Sequence, residues 1–132
     1  MFNYEWFYCG GLDRLVEEAT HRCARARYPN WETEQASEYE AYKESLEKRT
    51  ILYMKDGLTY EMREMAEVGT SSALAFECLP VDENYHVGAI VIIAPFEDIA
   101  RVEVFAVHPD EKPTENLRIP GFRPPGAKEP QS

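Results

Sequence analysis

The sequence predicts an α+β domain: an antiparallel meander sheet of about five strands, including an N-terminal strand, with two helices packed on one face and a Pro-rich C-terminal tail. Three observations predict it. Apolar residues recur at helical spacing from residue 12 to residue 46. Short apolar runs separated by turn residues fill 50–107. Six of the nine prolines fall after His108, where no hydrophobic period survives.

Taken in order, residues 2–9 alternate. Phe2, Tyr4, Trp6 and Tyr8 fall on one face and Asn3, Glu5, Phe7 and Cys9 on the other, which predicts an aromatic-rich strand ended by Gly10-Gly11. A helix follows, with Leu12, Leu15, Val16, Ala19, Cys23 and Ala26 on its apolar stripe. Its acids come early and Arg22, Arg25 and Arg27 late, which suits the helix dipole, and Pro29-Asn30 ends it. A second helix is expected over about 31–49, with a thin stripe of Tyr39, Tyr42 and Leu46 turned to the core. Asp56-Gly57 between two apolar runs signals a hairpin. "LTYEMREMAEV" also suits a helix, with Leu58, Met62 and Met65 at helical spacing; hairpin followed by strand is favoured. "ALAFECLPV" and "HVGAIVIIA" read as strands around a turn at "DENY". The second is apolar on both faces and is expected to be central and buried. "RVEVFAV" closes the sheet. The domain is expected over 1–108 and the extended tail over 109–132.

The chain is 132 residues long and 44% hydrophobic, enough for one core without a metal or disulfide staple. Cys9, Cys23 and Cys78 form no C-x-x-C pair and are odd in number, so free and mostly buried thiols in a cytoplasmic setting are expected. No apolar run is long enough to span a membrane, and "MFNYEWFYCGG" does not read as a secretory leader. The net charge of −10 is localised: residues 32–103 carry 16 acidic and 6 basic residues, while both ends balance. Such a surface repels nucleic acid and anionic membrane and attracts a basic protein.

Several chemistries fail on inspection. Residues 100–126 are similar to an acetyltransferase strand and cofactor loop, but Arg118-Ile-Pro-Gly121-Phe-Arg123 matches only half of that loop. Pro120, Pro124 and Pro125 remove the amide donors a pyrophosphate needs, so no cofactor is expected. Asp82, Glu83, His86 and His108 lack a metal-ligand spacing, as do Cys9, His21 and Cys23; no metal is expected. No Gly-rich phosphate loop or G-x-S-x-G is present, and no catalytic residue is assigned. The catalytic alternative is a small-ligand pocket on a curved, cystatin-like sheet. There Glu5, Glu77 or Glu103, each inside an apolar strand, would act as general acid or base near Tyr4, Trp6, Tyr8 or Phe76.

The second helix supplies the favoured site. Glu34 and Glu38 are four apart, as are Glu40 and Glu44, and Glu32 and Glu47 extend the row. Like charges at this spacing cost a helix a few tenths of a kcal/mol each, a cost that recognition of a basic surface would explain. Partner contacts are expected at Glu34, Glu38, Glu40, Glu44, Glu47, Tyr39 and Tyr42, with Leu117, Ile119 and Phe122 as anchors in the tail. The expected function is non-enzymatic: an acidic protein that inhibits or sequesters a basic partner such as a nucleic-acid-processing enzyme. Anti-CRISPR and immunity proteins are comparably small, acidic and poor in motifs. A homo-oligomeric structural subunit, joined through the tail or the aromatic strand, is the third reading.

Overall fold

The computed structural model describes residues 1–79 and 89–111. Three α-helices precede five strands: α1 (Tyr4–Tyr8), α2 (Gly11–Arg27), α3 (Ala36–Ser45), β1 (Glu47–Met54), β2 (Thr59–Ala66), β3 (Ala73–Cys78), β4 (Ile90–Pro95) and β5 (Ile99–Val107). Every pairing is antiparallel, in the order β4-β3-β2-β1-β5. The α+β meander is as expected, but its N-terminal member is a helix.

The alternation in residues 2–9 therefore misleads, and the reason is local. Asn3 caps α1, its Oδ1 accepting the Trp6 amide at 2.8 Å. The same aromatics also satisfy a helical period: Tyr4 and Tyr8, four apart, stack with ring centroids 4.5 Å apart. Phe7, expected on the polar face, is 2% exposed and stacks on Phe96. Five residues cannot hold a helix by themselves. Packing holds this one, together with the Tyr8 hydroxyl. That oxygen donates to the Ala66 carbonyl at 2.7 Å and accepts from the Ala75 amide at 3.2 Å, joining two register partners of β2 and β3.

Gly10 and Gly11 set α2 close against α1. Gly10 has φ 119°, and a Cβ on Gly11 would lie 2.4 Å from the Trp6 ring and 2.6 Å from the Trp6 carbonyl oxygen. Leu12, Thr20 and Ala24 form the most buried line of α2; Leu15, Val16, Ala19 and Cys23 are half-buried and Ala26 is exposed. The next helix is shorter than expected. Residues 31–35 form a turn in which the Thr33 and Gln35 amides both donate to the Asn30 carbonyl. At the other end Leu46 takes extended geometry (φ −70°, ψ 138°), and Glu47 opens β1. The physical cause is the sheet: from Glu47 onward β1 pairs with β5, and its β-branched Thr50 and Ile51 fit the ladder better than another helical turn.

Asp56-Gly57 forms the expected hairpin between β1 and β2, with Gly57 at φ 92° and Asp56 Oδ1 accepting the Leu58 amide. The remaining correction concerns β4. It lies at the edge of the sheet, and Val91 and Ile93 are 60% and 57% exposed, so it is neither central nor buried. β4 and β5 occupy opposite edges, yet only Phe96–Asp98 separates them. Four flat strand spacings would be about 19 Å, whereas the four peptide units from Pro95 to Ile99 reach at most about 14 Å. The sheet is therefore curled at this end, with bulges at Tyr53/Met54 and Met62/Glu64. One face carries the core, where Leu52, Met54, Met62, Leu74, Phe76 and Ile99 meet Phe7 and Leu12. The opposite face carries Arg49, Tyr53, Glu61, Glu64, Glu77, Val91, Ile93, Arg101 and Glu103, as the register requires. No described helix is long and apolar enough to cross a membrane.

Candidate functional site

The structure places the acidic residues of α3 at the surface but does not align them in one row. Successive helical residues turn by about 100°, so Glu38 and Glu40 lie on opposite flanks. Glu40 and Glu44 share the flank above α2, where with Glu17, Thr20, Lys43 and Lys48 they line a cleft of about 280 Å³. Glu34 stands in the turn before the helix, and Glu47 is half-buried at the start of β1, opposite Val107. Glu32, Glu34, Glu38, Glu40 and Glu44 are all exposed. Among the described residues none of these five makes an ion pair or side-chain hydrogen bond.

Arg22, Lys43, Arg49 and Arg101 are engaged by other carboxylates, whereas Lys48 lines the same cleft as Glu40 and Glu44. Arg22 pairs with Glu18 at 2.6 Å, which holds the Glu18 carboxyl below its usual range. Lys43, although on α3, reaches across to Glu17, and that hydrogen bond raises its pKa. Arg49 forms a two-nitrogen contact with Glu61 at 2.5 and 2.9 Å. Arg101 stacks 4.3 Å from the Tyr53 ring centroid and lies 3.6 Å from Glu103.

The two tyrosines expected beside these acids serve the interior. Tyr39 is 4% exposed; its hydroxyl lies 2.5 Å from His21 Nδ1, and its ring packs on Trp31. Tyr42 is half-buried between Tyr28 and the His108 ring, which stacks on it at 5.0 Å. Its hydroxyl donates to Glu111 at 3.1 Å. Burial first, and that hydrogen bond second, push its pKa up to about 12. Cys23 adjoins this group; burial and then the Glu111 charge raise its thiol, and a hydrogen bond with Tyr42 opposes them. His108 thus packs on an aromatic ring. Leu117, Ile119 and Phe122, and likewise Asp82, Glu83 and His86, lie outside the described residues.

The glutamates of the catalytic alternative do not converge. Glu5 is exposed on α1, and Glu77 and Glu103 point from separate strands to the face opposite the core. Glu103 accepts the Tyr53 hydroxyl at 2.7 Å. Trp6, Tyr8 and Phe76 pack in or against the core, and Tyr4 donates to Glu67. No group of three metal-binding side chains occurs among the described residues. Cys9 is exposed, Cys23 half-buried and Cys78 buried, so one thiol of three is interior where most were expected.

Sequence reading missed one arrangement. Glu64 and Glu77 face each other directly across β2 and β3, next to Val91 of β4. Only the bulge between Met62 and Glu64 brings them into register, and a bulge leaves no reliable mark in one sequence. Compared with protein-family models, with curated proteins and with solved structures, the chain matches none.

Proposed function

We propose that this chain is a non-enzymatic binding protein whose acidic surface on and around α3 engages a basic macromolecule, such as a nucleic-acid-processing enzyme, and so inhibits or sequesters it. The observation that carries the reading is the division of the carboxylates. Glu17, Glu18, Glu61 and Glu103 are bonded within the fold, while Glu32, Glu34, Glu38, Glu40 and Glu44 make no ion pair or hydrogen bond among the described residues. A cationic groove would find these oxygens unshared, much as it finds phosphates on a nucleic acid. Because they lie on two flanks, the matching surface is one that wraps the helix. Tyr39 contributes by fixing the helix to the body and leaves contact to the acids.

The test is retention from source-cell lysate at low and high salt by the tagged chain and by its Glu38→Lys/Glu44→Lys variant. A stoichiometric basic protein is expected to bind the unaltered chain, leave at high salt, and ignore the variant. Equal retention by both chains, or none by either, refutes the proposal.

A further inference from the structure

We propose that the free edge of β4 is a strand-addition site for an extended segment of another protein, one that alternates apolar residues with an arginine or lysine. This rests on the reading of the chain as a binder of basic proteins, but assigns a second surface, on an edge strand of the sheet instead of on α3. Three features of the edge lead to it.

The first is hydrogen bonding. Among the described residues β4 pairs with β3 alone, through Ile90–Pro95, so its other side presents unpaired backbone donors and acceptors. The second is the absence of protection. Edge strands normally carry charges that discourage pairing; β5, at the other edge, has Arg101 and Glu103. β4 reads Ile-Val-Ile-Ile-Ala-Pro, with no charge and only a terminal proline. Val91 and Ile93 are among the most exposed large apolar residues described, and both point to the face opposite the core.

The third feature selects the occupant. Val91 is in register with Glu77, and Glu77 with Glu64, so an apolar residue at the edge leads inward to two opposed carboxylates. Like charges directly opposite each other are unfavourable in a sheet. Neither glutamate has an ion pair among the described residues, and Arg63 at the adjacent bulge pairs with neither. A strand added outside β4 lies two spacings, about 10 Å, from β3. An arginine on it spans that gap over the short Val91 side chain to meet Glu77, while its apolar neighbours cover Val91 and Ile93. A second copy of this chain is disfavoured as occupant, because it would bring another net charge of −10.

The probe is a synthetic peptide, acetyl-Thr-Val-Thr-Arg-Thr-Val-Thr-amide, titrated into the isotope-labelled full chain and followed by amide chemical shifts. Shifts are expected in 73–78 and 90–95. A glutamate in place of the arginine weakens binding by about fivefold, N-methylation of the peptide amides abolishes it, and Glu77→Gln narrows the arginine–glutamate difference. Four outcomes overturn the proposal: no shifts at about 1 mM peptide; equal binding of the glutamate peptide; concentration-dependent shifts of 90–95 without peptide, which mean a second copy holds the edge; or exchange protection of the outward amides of 90–94 in the dilute free chain, which means the chain itself covers it. Shifts confined to 34–44 also overturn it while leaving the acidic-helix reading intact. Loss of that reading with binding at β4 retained separates the two in the other direction.

Discussion

Replacing Tyr8 by phenylalanine removes one oxygen and tests how the N-terminal segment is built into the sheet. The hydroxyl stands between the Ala66 carbonyl, at 2.7 Å, and the Ala75 amide, at 3.2 Å. Those two residues are partners in the β2–β3 register, so the side chain of α1 completes the end of a ladder. Each hydrogen bond contributes about 1 kcal/mol net, and the variant leaves both a donor and an acceptor in a half-buried site. A loss of about 2 kcal/mol is expected, or roughly 8 °C in Tm for a chain of this length. Tyr4→Phe is the matched control: its hydroxyl bonds Glu67 at an exposed site, and its loss is expected to be far smaller than that of Tyr8→Phe. Urea unfolding followed by circular dichroism measures both. In a strand, Tyr4 and Tyr8 would share one face and behave alike. Equal losses in the two variants, or a Tyr8→Phe loss under about 0.5 kcal/mol, would refute the assignment.

Two further outcomes follow from local geometry. Gly11→Ala places a methyl against the Trp6 ring and carbonyl, so thermal unfolding should show a loss of about 1–3 kcal/mol; Gly57→Ala meets no atom and should lose about 1 kcal/mol from its positive φ alone. Tyr42 has its folded pKa raised from 10.0 to about 12, so its contribution to stability is complete below pH 10 and is lost as pH rises through 12. A phenolate absorbance difference against Tyr42→Phe should show this late ionisation, and Glu111→Gln should move it down; ionisation near pH 10 in the unaltered chain contradicts the packing described.

What the sequence disclosed depended on whether neighbours or distant strands decide an element. Asp56-Gly57 announced its hairpin because a positive φ at Gly57 is a local demand. The spacing from Leu12 to Ala26 likewise announced α2, though the helix leans most heavily on Leu12, Thr20 and Ala24. Residues 2–9 satisfied two periods at once, and the deciding signal was Asn3, a capping residue with Glu5 in the first turn behind it. For β4, apolar residues on both sides matched a buried strand. Sheet order, a non-local property, put it at the edge instead. The exposure of the α3 carboxylates was legible because unpaired charge avoids burial. Their division between two flanks was implicit in the spacing of Glu38 and Glu40; the start of the helix at Ala36, which leaves Glu34 outside it, was not.

That division bears on why α3 can be so acidic. The helix is ten residues long, has no side-chain N-cap, and carries Glu44 in the last turn, where the dipole disfavours a negative charge. Local propensity does not sustain such a segment. Tyr39, bonded to His21 and packed on Trp31, and Leu46, 5% exposed where the chain turns into β1, sustain it from the interior. Lys43 is drawn down to Glu17, to which it hydrogen-bonds, although its charge is also felt by Glu40. Stability is thus supplied by one face and charge presented on the others, so substitutions among Glu38, Glu40 and Glu44 are expected to have little effect on folding, whatever they do to the proposed binding. This separation lets a charge-reversal experiment on α3 report on binding, because the anchors that hold the helix are not the residues being changed.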